Sequence, residues 1–145
     1  LPGGFSGTAE FGPGDMFKNK NVRGAFIETA WQDTDSTGAN FDDVAIASGT
    51  LGVNNFTGDS FQNAKIQASF NQNNFTNVDF TGARVRSPSA DTNDFTNANF
   101  TNADLHDSYF TGNTLTGVIW SNTICSDGTN SNANGNTCEG HLGNQ

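Results

Sequence analysis

Positive charge is scarce in this chain. Six of its 145 residues are Lys or Arg, against 15 Asp and Glu, for a formal charge of −9. A phosphate backbone is gripped by clustered cations that release its counterions. Nucleic acid is therefore excluded as a partner, and anionic membrane surfaces are disfavoured for the same reason. No apolar run approaches the roughly 20 residues of a membrane-spanning helix, so no membrane insertion is expected. Histidine is limited to His106 and His141 and cysteine to Cys125 and Cys138. Neither type clusters with acids at the spacing of a metal site. His106 lies beside Asp104 and Asp107, but it falls at an outward position with no pocket to shift a pKa. There is no Gly-x-Ser-x-Gly, no phosphate-binding loop and no paired-carboxylate cleft, so an enzyme is not expected. Apolar residues are only 33% of the chain, a level that would ordinarily suggest disorder.

What is present argues against disorder. Phe occurs 13 times, and from Asn54 to Ser121 a large apolar residue returns at every fifth position, with one four-residue unit at Ala64–Gln67. Helices place apolar residues at spacings of three and four and strands at two; five fits neither. A longer period lies beneath. Asn54-Asn55-Phe56-Thr57-Gly58 is followed by Asn73-Asn74-Phe75-Thr76-Asn77, Asn93-Asp94-Phe95-Thr96-Asn97 and Asn113-Thr114-Leu115-Thr116-Gly117, in steps of 19, 20 and 20 residues. A second column runs Phe41, Phe61, Phe80, Phe100, Trp120. A third runs Phe26, Ile46, Ile66, Val85, Leu105, and a fourth Trp31, Leu51, Phe70, Ala90, Phe110. Four columns visited in turn imply a four-sided coil of about 20 residues per turn, the kind of self-similarity that marks a solenoid.

The units resemble the pentapeptide-repeat family, whose pattern is small–Asp/Asn–Leu/Phe–polar–polar. Ala98-Asn99-Phe100-Thr101-Asn102 and Ala103-Asp104-Leu105-His106-Asp107 carry the resemblance most closely, and matching units run from Gly24 to Asn122. The resemblance implies an all-β fold, a right-handed quadrilateral parallel β-helix of about five coils. The chain is expected to be one domain over 1–145. It divides into an N-terminal cap or extension (1–23), the repeats (24–122) and a C-terminal cap (123–145).

In such a coil stacked turns sit about 4.8 Å apart, and identical side chains lie above one another. Phe41, Phe61, Phe80, Phe100 and Trp120, and Phe56, Phe75, Phe95 and Leu115, are expected as core ladders. Asn54, Asn73, Asn93 and Asn113 fall at an inward position, where an amide must find partners; a coil-to-coil Asn ladder is expected. Thr37, Thr57, Thr76, Thr96 and Thr116 should form a surface column. Arg84 and Asp104 align as a cross-coil ion pair. Pro88 occupies a small inward position, and its missing donor should loosen that corner. In the N-terminal segment Phe5 and Phe11, between Gly/Pro turns, are expected to pack on the first coil.

Cys125 and Cys138 flank a Gly/Asn/Ser-rich loop. They read as one disulfide, hence an oxidising compartment, and closing such a loop is worth roughly 3 kcal/mol. This end looks like the terminus of exported bacterial pentapeptide-repeat proteins. The chain begins at Leu1 rather than Met, so removal of a leader is expected and localisation is expected to be secreted. No cofactor is expected. The two weak places for Ca²⁺ are Asp33 and Asp35 with Asp42 and Asp43, and Asn130, Asn132 and Asn134; neither has the spacing and acids of a Ca²⁺ loop.

Three functions are compatible with these features. One is an extracellular structural or adhesive protein whose partner is itself, since a solenoid has open ends that can continue the ladder into a filament. Another is a surface for a regular ligand, ice or polysaccharide, through the Thr columns. The last is a DNA mimic inhibiting a topoisomerase, a role that the family resemblance suggests and overall acidity allows.

Overall fold

Two side chains in every five turn inward, and each unit therefore has to turn a corner. The residues from Asn74 to Val78 show how. Phe75 and Val78 are buried, with Thr76 and Asn77 outside. Val78 N–H donates to Phe75 C=O at 3.1 Å to close the turn. Asn77 sits at φ 60°, the left-handed region that favours Asn and Gly. Asn74 Oδ1 accepts from Thr76 N–H at 3.0 Å, an Asx turn. The Thr-Gly and Thr-Asn pairs of the sequence are thus corner chemistry. At Gly82 (φ +71°) the need is also steric, because a Cβ there would lie 2.3 Å from Asn63 Oδ1.

Repeated corners wind the chain into an all-β parallel solenoid, seen in a computed structural model that describes residues 4–5 and 14–143. Its strands are β1 (Gly4–Phe5), β2 (Phe26–Ile27), β3 (Trp31–Gln32), β4 (Ala45–Gly52), β5 (Lys65–Asn71), β6 (Arg84–Arg86), β7 (Ala90–Asp91) and β8 (Phe110–Thr111). They form one sheet in the order β1-β2-β4-β5-β7-β8, with β3 on β4 and β6 on β5. All these pairings are parallel. In β5 burial alternates, with Ile66, Ala68 and Phe70 inward, as a strand's period of two requires. Along the turn-rich sides successive coils meet at single parallel bridges, such as Asn55 to Asn74 to Asp94 to Thr114.

Not every side has five residues. Ile46 pairs with Ile66 and Leu51 with Phe70, with the register shifting between Ala47 and Thr50; the side from Ile66 to Phe70 is one residue short. The same contraction occurs at the other end. Ile27 pairs with Ile46, and Trp31 with Leu51. Counting back in fives from Trp31 assigns the column to Phe26, but Ile27 is the buried residue and Phe26 is 43% exposed. With the short side recognised, the period continues through Ile27, Val22 and Phe17, all fully buried. Residues 14–23 accordingly belong to the winding, with Gly14 bridging Thr34 and Asn21 bridging Asn40. Of the N-terminal packing expected for Phe5 and Phe11, the backbone of β1 pairs with β2; Phe11 lies outside the described residues.

The interior is a file of rings. Phe41, Phe61, Phe80, Phe100 and Trp120 stack with centroids 4.8–5.5 Å apart and planes within 19°. Phe56, Phe75 and Phe95 stack at 5.1 and 4.9 Å, and Leu115 ends that file half-buried. Between files the rings meet edge-on or tilted, as at Phe56–Phe61 (5.5 Å, 75°). Both geometries suit the ring quadrupole and add ~0.5–1.5 kcal/mol per pair beyond burial.

Candidate functional site

The polar interior is as ordered as the aromatic one. Asn54 N–H and Nδ2 both donate to Asn73 Oδ1, at 3.0 and 3.1 Å. Asn73 does the same to Asn93 Oδ1, at 2.9 and 3.0 Å. Asn93 does so to Asn113 Oδ1, at 2.9 and 3.0 Å. Each also donates through Nδ2 to a carbonyl one coil back: Trp31, Leu51, Phe70 and Ala90 respectively. An inward corner leaves backbone groups that no coil neighbour reaches, and an Asn side chain has the two donors and one acceptor to serve them. At the upper end Thr34 takes the Asn place, giving both its N–H (3.1 Å) and its hydroxyl (2.9 Å) to Asn54 Oδ1. Its hydroxyl in turn accepts from Trp31 Nε1 at 2.7 Å.

One buried charge-bearing group was not singled out in the sequence. Asp59 is 1% exposed at a small inward position, in a column with Ala39, Val78 and Ala98. It accepts from Ser36 Oγ at 2.9 Å and from Ala39 N–H at 3.0 Å. Ser36 stands where the file of rings would place a Phe, between Phe17 and Phe56, and the indole of Trp31 fills part of the space, 5.1 Å from Phe17 and 5.2 Å from Phe56. Burial pushes the Asp59 carboxyl up to about 7 against the opposing hydrogen bonds of Ser36, Ala39 and Gly38. The two departures from pattern, Ser in the Phe column and Asp in the small column of the next coil, are visible in the sequence and compensate each other.

The surface Thr column is turned to local use. Thr37, Thr57 and Thr96 donate their hydroxyls to the Asx oxygen two residues earlier, at 2.5–2.6 Å; Thr81 and Thr101 do likewise. Thr76 lies half-buried and Thr116 exposed on the same face. Among the acids, Asp43 pairs with Arg23 at 2.9 Å and Asp35 with Lys18 at 3.3 Å. Hydrogen bonds from Thr37 hold the Asp35 carboxyl below the usual range. Asp42 accepts from Ser60 Oγ and from Gln62 N–H, and Asp33 is exposed at φ 55°. Asn130 caps a short 3-10 turn, Ser131–Ala133; Asn132 Oδ1 accepts from Asn122 N–H, and Asn134 donates to Thr129 Oγ1. Among the described residues no group of three or more His, Cys, Asp or Glu could hold a metal ion.

Two side-chain placements differ from expectation. Asp104 pairs with Arg86, at 3.3 Å, and Arg84, aligned with it in the ladder, points outward. Ser87, not Pro88, is the inward residue at the Pro corner; Ser87 is fully buried and Pro88 exposed.

Among the described residues the C-terminal end is closed on one side only. Cys125 and Cys138 form a disulfide, with Cα atoms 5.4 Å apart and both side chains fully buried. The loop they close folds back on the last rung. Ile124 bridges Asn130 in antiparallel fashion, Ser131 N–H donates to Thr123 C=O at 2.8 Å, and Leu142 C=O accepts from Phe110 N–H. His141 Nδ1 lies 2.7 Å from Asp127 Oδ2, and hydrogen bonds from Thr129, then from His141, hold Asp127 down at about 2. The other side lacks this cover. One coil up, Phe95, Asn97 and Phe100 N–H groups bond to Thr114, Thr116 and Ile119 carbonyls. The corresponding N–H groups of Leu115, Gly117 and Trp120 meet no partner among the described residues. Leu115 and Val118 are only partly covered there.

A parallel β-solenoid whose interior is filled mainly by stacked rings and ladder bonds presents its faces and ends to whatever it meets. The family model described as pentapeptide repeats, in eight copies, matches residues 94–123; that stretch of the chain is built of pentapeptide repeats. No curated protein matches it. Among solved structures it is similar to QnrB1, a plasmid-mediated fluoroquinolone resistance protein, at 13% identity over 83% of this chain and 70% of that one, TM-score 0.44. It is also similar to HetL, a pentapeptide repeat protein involved in heterocyst differentiation regulation from Nostoc sp. strain PCC 7120, at 17% identity over 83% and 69%, TM-score 0.37. A pentapeptide repeat protein of the Arabidopsis thaliana thylakoid lumen gives 15% identity over 88% and 77%, TM-score 0.32. Likenesses of this degree carry nothing about what the chain binds.

Proposed function

We propose that the chain is a secreted structural or adhesive module that associates with itself end to end. The observation that supports this is the half-open last coil. The N–H groups of Leu115, Gly117 and Trp120 form a donor row beside partly exposed apolar side chains. An unpaired edge is a template for another chain's backbone, and a head-to-tail contact that does not close on itself makes a filament. The disulfide is consistent with an oxidising, extracellular setting. The loop it closes covers the opposite side of the same end, so association would be offset rather than coaxial.

The alternatives have less support. The hydroxyls of Thr37, Thr57 and Thr96 are committed to their own turns, which leaves a lattice-matching role in binding ice or polysaccharide mainly to methyl groups. A DNA mimic needs an unbroken acidic face, yet Lys65 and Arg84 are paired neighbours on one face, with Arg86 beside them.

Sedimentation velocity over a range of concentration and salt tests the proposal. The parent should show reversible species larger than a monomer. Leu115→Lys, which places a charge at the open end, should shift the distribution to monomer without changing the melting temperature by more than a few degrees. A parent that stays monomeric at every salt and pH would end this reading.

A further inference from the structure

A groove of about 700 Å³ runs along the corner at Pro88, beside the C-terminal cap. It is formed where three coils meet the chain's return at 140–143. Tyr109 stands in its wall with 49% of its surface exposed, the sole Tyr of the sequence. The return pins that ring: a Cβ at Gly143 would come within 2.7 Å of Tyr109 Cδ1, so only Gly lets the backbone pass so close. Asp107 and Asp127 line the same groove, beside His106 and His141 respectively, and Ser89 and Thr111 add hydroxyls.

A second, independent observation falls at the same corner. Among the described residues two buried side-chain polar atoms lack a hydrogen-bond partner, Ser87 Oγ and Ser126 Oγ. Ser87 N–H donates to Ser108 Oγ at 2.9 Å and that hydroxyl donates to Val85 C=O at 2.8 Å, while Ser126 C=O accepts from Asp107 N–H. Ser126 is 6% exposed and lines the groove. A buried hydroxyl without a partner costs about 1–3 kcal/mol. Elsewhere the described interior satisfies its polar side chains through the ladders, so the two orphans, both sealed from solvent, mark the Pro88 corner beside the groove as the place where that bonding lapses.

The lining decides the class of ligand. No Lys or Arg is present, so an anion finds no countercharge. Carboxylates and hydroxyls offer acceptors to a ligand rich in O–H donors, while the exposed aromatic face suits an apolar C–H surface. One ring that presents both is a pyranose, and the volume lies within the usual range for a small-molecule pocket. We propose that this groove binds a neutral sugar ring, stacked on Tyr109 and hydrogen-bonded through Asp107. The proposal is independent of self-association, since the groove lies on the cap side and leaves the open edge at Leu115 free.

The test is a ¹H–¹⁵N NMR titration of the intact, oxidised protein with millimolar D-glucose, D-galactose, D-mannose, N-acetyl-D-glucosamine and their disaccharides. Saturable shifts are expected with at least one of them, confined to residues 87–89, 107–111 and 126–127. Tyr109→Ala should weaken that binding at least tenfold and Asp107→Asn severalfold. Tyr109→Phe, which keeps the ring, should retain it, and Thr57→Val, on a distant face, should leave it unchanged. No saturable shift with any sugar overturns the proposal, as does equal binding by folded Tyr109→Ala. Choline chloride saturating the groove where the sugars do not overturns it too, and would make this a cation site.

Discussion

Replacing Asn73 by Ala tests the interior ladder at its most heavily used rung. Asn73 Oδ1 accepts from Asn54 N–H and Nδ2, and its Nδ2 donates to Leu51 C=O and Asn93 Oδ1. Truncation leaves one buried backbone donor, Asn54 N–H, with nothing in reach; Leu51 C=O keeps the ladder bond of the Gly52–Asn71 pairing. Asn54 Nδ2 still holds Trp31 C=O, and Asn93 Oδ1 still accepts from Asn73 N–H, so those atoms count for little. At about 1–3 kcal/mol for an orphaned buried group the cost is about 1–3 kcal/mol. For a domain of this size 1 kcal/mol moves the melting temperature by about 2–4 °C, so a fall of roughly 2–12 °C is expected. Asn113→Ala is the internal control. It sits at the last rung, partly exposed, where water can take the place of the amide, and its cost should be ~1 kcal/mol. Thermal melts by circular dichroism, with urea titrations to check that the slope is unchanged, give both numbers. Hydrogen exchange at the Asn54 amide reports the lost acceptor directly. If both variants lie within ~0.5 kcal/mol of the parent, or Asn113→Ala costs as much as Asn73→Ala, the ladder is not what satisfies the corner.

Asp59 gives the protein a titrating core. Its folded-state value is raised to about 7 from 3.8, so its contribution is fully present below about pH 4 and is lost as pH rises through about 7. A shift of about three units corresponds to at most ~4 kcal/mol. Melting temperature should fall between about pH 4 and 7 in the parent and much less in Asp59→Asn, which keeps the bonds to Ser36 and Ala39; identical profiles would refute the buried-acid account. Phe80→Asp should do wider damage, because the ring stacks on Phe61 at 5.5 Å and Phe100 at 4.9 Å and coils are stable only through their neighbours. Exchange protection over 56–100 is expected to disappear as one block, and a variant that melts like the parent contradicts the stacked core.

The regular coils were legible because a corner every five residues imposes the same demand each time. An inward Phe, an Asx two residues before a Thr, and a Gly or Asn able to adopt positive φ recur together, as at Asn74–Asn77 and Asn99–Asn102. Where a side loses one residue the count slips. Between Ile66 and Phe70 both flanking columns were strong enough to reveal the deletion. Between Ile27 and Trp31 nothing above fixes the register, so a count in fives lands on Phe26 instead of Ile27 and passes over the coil through Phe17 and Val22. The Ser36–Asp59 pair lay in plain view as two irregularities, but only their one-coil offset makes them complementary.

The sequence by itself determined that this chain coils, which columns of rings and amides run along its axis, and that it closes with Cys125 and Cys138. These follow from local geometry, since parallel stacking at a fixed rise repeats whatever each unit supplies. The tertiary structure alone decided what happens where that repetition stops. Arg86 rather than Arg84 reaches Asp104 because side-chain reach depends on the corner beside it. The cap covers one side of the last coil and leaves Leu115 to Trp120 open, because its return path is fixed by the disulfide and not by the repeat. The groove at Tyr109 exists because a Pro corner, three coils and the returning chain meet there, positions that are distant in sequence and share no period.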